Sequence, residues 1–191
     1  MLDAKKVILT LADNTTNTIT DSSRLSTEED YSAVIFSKED LIINGNGTLN
    51  VNAGYRNGIK STDDCIIVSG TLNITSTEDG IIGKDLCGIV AGDININAGS
   101  DGIKSTYDTD TTKGNVIIEG GNITIKASND GIQAENILVI NDGTINIKTN
   151  NGAADTTQTH IDNMDMGRGG FGFNNNKTQT TTDDNSESWT G

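Results

Sequence analysis

The sequence contains no proline, one histidine, two cysteines and only 4% aromatic residues. Average usage would place about ten prolines in a chain of this length, and their absence suits a fold whose backbone N–H groups are all needed for ladders. A single histidine, His160, leaves little room for a His-based catalytic triad or a zinc site. Two cysteines are too few for a disulfide scaffold. Basic residues are also short: 13 Lys and Arg against 27 Asp and Glu give a formal charge of −14, which excludes a nucleic-acid partner. No run approaches the roughly 18 apolar residues of a membrane span, and Met1-Leu2-Asp3-Ala4-Lys5-Lys6 is not followed by the apolar core of a signal peptide. Hydrophobic residues make up 33% of the 191 positions, below the usual ~45–50%. The apolar residues must be placed economically, or the chain cannot fold.

What is present is a repeat. Asn57-Gly58-Ile59, Asp79-Gly80-Ile81, Asp101-Gly102-Ile103 and Asp130-Gly131-Ile132 recur, with Asn151-Gly152-Ala153 as a weaker copy, at glycine spacings of 22, 22, 29 and 21. A second set, Gly47, Gly70, Gly92, Gly121 and Gly143, keeps step at 23, 22, 29 and 22. The long interval contains the insertion Tyr107-Asp108-Thr109-Asp110-Thr111-Thr112-Lys113. After each glycine of the second set come alternating apolar pairs, Leu49/Val51, Leu72/Ile74, Ile94/Ile96, Ile123/Ile125 and Ile145/Ile147, each a strand with one buried face. Before the glycine lies a second apolar run, as in Cys65-Ile66-Ile67-Val68, and a third short segment follows Gly-Ile.

Short strands at a period of about 22 residues predict an all-β solenoid, each repeat forming one coil of a parallel β-helix. Stacking Ile on Ile fills a narrow core with few residues. Residues 1–154 are read as this solenoid, of about six coils with further coils expected beyond both ends, and 155–191 as a low-complexity Gly/Asn/Thr-rich mobile tail or loop. At the N-terminal side, Ala33-Val34-Ile35-Phe36-Ser37 takes the place of Gly58-Ile59-Lys60-Ser61 one coil earlier, and Asp21 to Asp30 reads as an excursion.

The acids follow the period. Asp79, Asp101 and Asp130, with Asn57 and Asn151 at the ends, form a ladder, and Asp63, Asp64, Asp85, Asp108, Asp110 and Glu135 follow the Gly-Ile segments. Carboxylates stacked about 4.8 Å apart repel one another unless a cation intervenes, and oxygen-rich sites suit Ca²⁺. The other reading is turn chemistry, for which Asx-Gly is a good pair. Lys60 and Lys104 follow Gly-Ile, with Lys84 nearby; they either neutralise the acids or, beside calcium, serve as the base of a uronide lyase. Cys65 and Cys87 fall in adjacent coils at an inward position, as a reduced apolar pair in preference to a disulfide. Outward residues such as Thr71/Asn73 and Asp93/Asn95 form a flat polar face compatible with sugar, and Tyr55 and Tyr107 are the aromatics best placed to stack on a pyranose ring.

The runs Asn57-Gly58-Ile59-Lys60-Ser61-Thr62-Asp63-Asp64, Asp79-Gly80-Ile81-Ile82-Gly83-Lys84-Asp85, Asp101 to Gly114, Asn115 to Gly121 and Asp130-Gly131-Ile132-Gln133-Ala134-Glu135 resemble a family of bacterial carbohydrate-binding β-helix domains related in fold to polysaccharide lyases. The resemblance covers roughly residues 5–154. It implies a right-handed parallel β-helix, extracellular or at the cell surface, monomeric, holding structural calcium and binding cellulose-like or acidic pectic plant cell-wall polysaccharide without catalysis. Calcium ligands would then be Asp79, Asp101 and Asp130, with Asp63, Asp64, Asp85, Asp108, Asp110 and Asn57 beside them, and Tyr55, Tyr107, Lys60 and Lys104 would meet the sugar. Two further functions fit the same residues: a calcium-dependent pectate-type lyase with Lys104 or Lys60 as base, and a structural or adhesive surface solenoid.

Overall fold

The structure, a computed structural model, describes residues 4–22 and 32–150. Strands follow one another in threes. The first coil is β1 (Lys6–Leu11), β2 (Thr16–Asp21) and β3 (Ala33–Ser37); the second is β4 (Asp40–Gly45), β5 (Thr48–Ala53) and β6 (Asn57–Ser61). The third is β7 (Asp64–Ile67), β8 (Thr71–Ser76) and β9 (Ile81–Gly83), and the fourth β10 (Leu86–Ile89), β11 (Asp93–Ala98) and β12 (Ile103–Lys104). β13 (Asn115–Ile118), β14 (Asn122–Ala127) and β15 (Ile132–Gln133) make the fifth, and β16 (Leu138–Ile140) and β17 (Thr144–Thr149) begin a sixth. Strands of equal rank stack in parallel into sheet A (β1-β4-β7-β10-β13-β16), sheet B (β2-β5-β8-β11-β14-β17) and sheet C (β3-β6-β9-β12-β15). This is a parallel β-helix with the predicted period.

The core consists of columns. Ile43, Ile67, Ile89 and Ile118 stack on sheet A, Leu49, Leu72, Ile94 and Ile123 on sheet B, and Ile59, Ile81 and Ile103 on sheet C, all buried. Each side chain so buried contributes about 1.5–3 kcal/mol. Ile35, Phe36 and Ser37 pair with Ile59, Lys60 and Ser61, as the repeat predicts for the first coil. Cys65 and Cys87 lie in register, buried and free. Burial pushes both thiols up, Cys87 to about 12, so they stay protonated and pack as small apolar groups. Of the excursion, Asp21 closes β2, while 23–31 lie outside the described residues, as does the segment 155–191 with His160.

Glycines at two places in the coil have different causes. Gly47 sits opposite Gly70 as the period requires, through the register of Thr48 with Thr71, but the left-handed backbone in that coil belongs to Gly45, at φ +98°. One extra residue in this corner moves the turn back along the chain. More important, Gly58, Gly80, Gly102 and Gly131 are not turn glycines with positive φ. Gly58 lies inside β6 and the others immediately precede β9, β12 and β15. They are glycine because nothing else fits: a Cβ on Gly80 would lie 2.5 Å from both the Gly102 carbonyl oxygen and Ile96 Cγ2.

Candidate functional site

Where each coil enters sheet C, the predicted ladder of acids is held by hydrogen bonds. The Asp79 N–H donates to Asn57 Oδ1, the Asp101 N–H to Asp79 Oδ1 and the Asp130 N–H to Asp101 Oδ1, each at 3.0 Å. Asn57 Nδ2 closes the series by donating to the Ser32 carbonyl at 2.9 Å. The structure thereby explains why this position is an amide: Asn57, buried at 4% exposure, must donate in one direction and accept in the other, and a carboxylate only accepts. Asn57→Asp should cost about 1–3 kcal/mol in urea denaturation, the typical penalty for a buried polar group left without its partner. An unchanged midpoint would contradict this account of the ladder.

Lysines supply countercharge. Lys104 Nζ lies 2.7 Å from Asp101 Oδ2. Burial pulls the Lys104 pKa down, but the Asp101 hydrogen bond and the charges of Asp79, Asp101 and Asp130 outweigh it, leaving the group above its ordinary value. Lys60 donates to Ser32 Oγ at 3.0 Å, and burial, opposed by Asp79, holds it below the ordinary lysine range.

At the opposite edge of sheet C, where the chain turns into sheet A, a second group of acids gathers. The β4–β7 register, with Leu41 beside Cys65, places Asp40 next to Asp64, and the Asp85 N–H donates to the Asp63 carbonyl at 3.2 Å. Carboxylate oxygens of Asp40, Asp63 and Asp64 all lie within 4.8 Å of one another. Burial raises the Asp63 pKa, reinforced by a hydrogen bond and repulsion from Asp85 and by the charges of Asp40 and Asp64. Asp64 is raised by burial and by Asp40 and Asp85, against the pull of Lys113 and Lys6. Lys6 lies 3.4 Å from Asp40, and Lys113 pairs with the buried Asp85. Asp40 is not among the acids the repeat singles out, yet it precedes Leu41-Ile42-Ile43 just as Asp64 precedes Cys65-Ile66-Ile67. Of the remaining acids, Asp108 is exposed in the insertion, and Asp110 accepts from Thr112 N–H at 2.9 Å and Thr112 Oγ1 at 2.7 Å within its own turn. Those bonds, the backbone one first, hold the Asp110 carboxyl below the usual range.

The tyrosines are not brought together. Tyr55 lies between sheets B and C in the second coil, with the Arg56 guanidinium 5.4 Å from its ring centre. Tyr107 lies beyond β12 in the fourth, with the ammonium groups of Lys84 and Lys113 each 4.9 Å from its ring centre. Between these edges runs the outward row Phe36, Lys60, Ile82, Lys104 and Gln133. Sheet B presents the expected flat polar face, on which Asn73 Nδ2 donates to Asn50 Oδ1 at 2.9 Å and Asn95 Nδ2 to Asn73 Oδ1 at 3.0 Å.

A family model described as "Carbohydrate-binding domain-containing protein" matches residues 1–190. The chain belongs to this family. A carbohydrate-binding domain-containing protein of Acetivibrio thermocellus is 37% identical over 75 residues, which are 37% of this chain and 26% of the relative. Among solved structures, a polysaccharide lyase-like protein from C. thermocellum, determined as a gadolinium derivative, superposes with a TM-score of 0.63 at 34% identity, covering 75% of this chain and 62% of that one. The chain thus spans about a quarter of the curated relative's length. Family membership as a carbohydrate-binding domain and the polysaccharide lyase-like fold agree with what the resemblance implies.

Proposed function

We propose that this carbohydrate-binding domain is a non-catalytic, calcium-loaded module for plant cell-wall polysaccharide, cellulose-like or acidic pectic, working outside the cell as a monomer. The observation that carries the metal part is the crowding of Asp40, Asp63 and Asp64, whose oxygens lie within 4.8 Å of one another beside Asp85. Such a set fits a hard divalent cation, which takes several oxygen ligands at about 2.3–2.6 Å, and the pKa values of Asp63 and Asp64, raised first by burial and then by the neighbouring carboxylates, mark charges that a cation would stabilise. The ladder of Asp79, Asp101 and Asp130 spends the Oδ1 atoms of Asp79 and Asp101 on backbone N–H groups, so we place the ion at the corner cluster and give the ladder a part in holding coils together. The polysaccharide lyase-like relative was determined as a derivative of gadolinium, a hard cation with the same preference for oxygen. When bound, calcium would neutralise the cluster and bridge to sugar carboxylates that a chain of charge −14 otherwise repels.

A calcium-dependent lyase is the second reading, and one observation favours it: Lys60, held below the ordinary lysine range by burial, is a better placed base than Lys104, whose ammonium is stabilised by Asp101. The test is incubation with polygalacturonate and calcium while following the ultraviolet absorbance of unsaturated product. No product is expected. Sustained product that disappears in Lys60→Ala would establish the enzyme and overturn the binding-module reading.

A further inference from the structure

Threonine is favoured in strands and asparagine is disfavoured. The outer face of sheet B departs from the second preference. Of its eighteen outward positions, eight are threonine and seven asparagine, while Asp93, Lys126 and Lys148 carry the only charges among them. In a chain of formal charge −14 this face is close to neutral. Several of its side chains are also tied to one another by hydrogen bonds. The amide series from Asn95 through Asn73 to Asn50 ends on Thr18 Oγ1 at 3.3 Å, and Asn52 Nδ2 donates to Thr20 Oγ1 at 3.2 Å. Each ladder amide still has a second N–H and a second lone pair. Over the middle of the face a shallow depression of about 240 Å³ is lined by Asn73, Thr75, Asn95, Asn97, Thr124 and Lys126 among others.

We propose that this face is a docking surface for an uncharged polysaccharide, held by the Asn and Thr side chains without a cation; the inference rests on the carbohydrate-binding reading above. Rigid donors and acceptors repeated at the ~4.8 Å strand spacing match a polymer that repeats hydroxyl groups along its length. Preorganisation lowers the ordering cost of binding, and repetition along the stack replaces the ring stacking that absent aromatics cannot give. An acidic polymer gains little here, since countercharge lies at Lys126 and Lys148 alone. Regular threonine rows would suit ice, but asparagine interrupts every row of this face.

The test uses the full chain and two insoluble probes, amorphous cellulose and cross-linked polygalacturonate, in calcium and in EDTA at a temperature where circular dichroism shows the fold intact. Retention on cellulose should be equal in both buffers. It should fall at least about tenfold, the equivalent of 1.4 kcal/mol, in Asn73→Ala/Asn95→Ala and, by obstruction, in Thr75→Arg, with the circular dichroism of both variants unchanged. Wild-type retention on cellulose by both folded variants would overturn the proposal, as would ice shaping with no retention on cellulose. Retention on polygalacturonate alone overturns this inference and leaves the carbohydrate-binding reading standing; retention on neither probe removes both.

Discussion

Gly102→Ala should lose about 1–3 kcal/mol of folding stability, the usual cost of overpacking, although only a methyl group is added. A Cβ at this position would lie 2.4 Å from Ile125 Cγ2 and 2.5 Å from the Gly131 carbonyl oxygen. A side chain can rotate aside, but the carbonyl belongs to the next coil, whose Gly131 C=O accepts the Ile103 N–H at 3.0 Å. Relief therefore requires the coils to part, which strains the sheet C ladder and the column of Ile81, Ile103 and Ile132 together. Gly88→Ala is the matched control: its Cβ would meet Ile66 Cγ1 at 3.5 Å, ordinary contact, and its φ is not in the left-handed region. There the substitution should be neutral, or stabilising by a few tenths to about 1 kcal/mol through the unfolded chain. Urea midpoints of the two variants decide; equal midpoints would show that the glycine ladder is not a close-packed feature.

Chelation should lower the melting temperature markedly, and pH should then act in opposite directions with and without the ion. A ligand present at a hundred times its Kd stabilises by about 2.7 kcal/mol. Without it, the folded pKa values of Asp63 and Asp64 stand above their ordinary, unfolded values. Above the raised folded values the folded state carries the cost of burying these charges and of their mutual repulsion. As pH falls through the raised folded pKa values the folded protein takes up protons first, so stability rises, and the penalty is gone once pH is below the unfolded pKa near 4. In EDTA the melting temperature should therefore climb as pH is lowered from 7 towards about 5. In calcium it should fall over the same range, because protons compete for the ligand oxygens. Asp64→Asn sharpens the point: it removes one repelling charge, so the variant should melt higher than wild type in EDTA and respond less to calcium. Identical pH profiles in the two buffers would rule out a cation at this cluster.

Much of the architecture is legible because a solenoid writes its spatial neighbours into its period. Aligning the glycines is enough to stack Ile67 on Ile89 and Leu72 on Ile94, and to put Cys65 beside Cys87. The period reveals which residues share a column but not how much room separates the columns. For that reason Gly58, Gly80 and Gly102 read as turn chemistry when their cause is the nearness of the next coil's backbone and of an isoleucine side chain, and Gly131 likewise when its cause is the Ile147 side chain. The ladder of Asp79, Asp101 and Asp130 is visible by the same alignment, whereas its partners are backbone N–H groups, which no sequence displays. Asp40 is hidden because Gly-Ile marks the repeat, and the coil before it carries Val34-Ile35 instead. Tyr55 and Tyr107 both flank a Gly-Ile segment in sequence, yet they occupy opposite edges of sheet C.

The most direct test of the carbohydrate-binding account is depletion of the full chain from solution by insoluble plant cell-wall polysaccharide in the presence of calcium, with the supernatant followed for unsaturated sugar. Saturable retention on the solid with no growth in ultraviolet absorbance is the expected result. A protein that stays wholly in solution, or one that releases unsaturated product steadily, would contradict it.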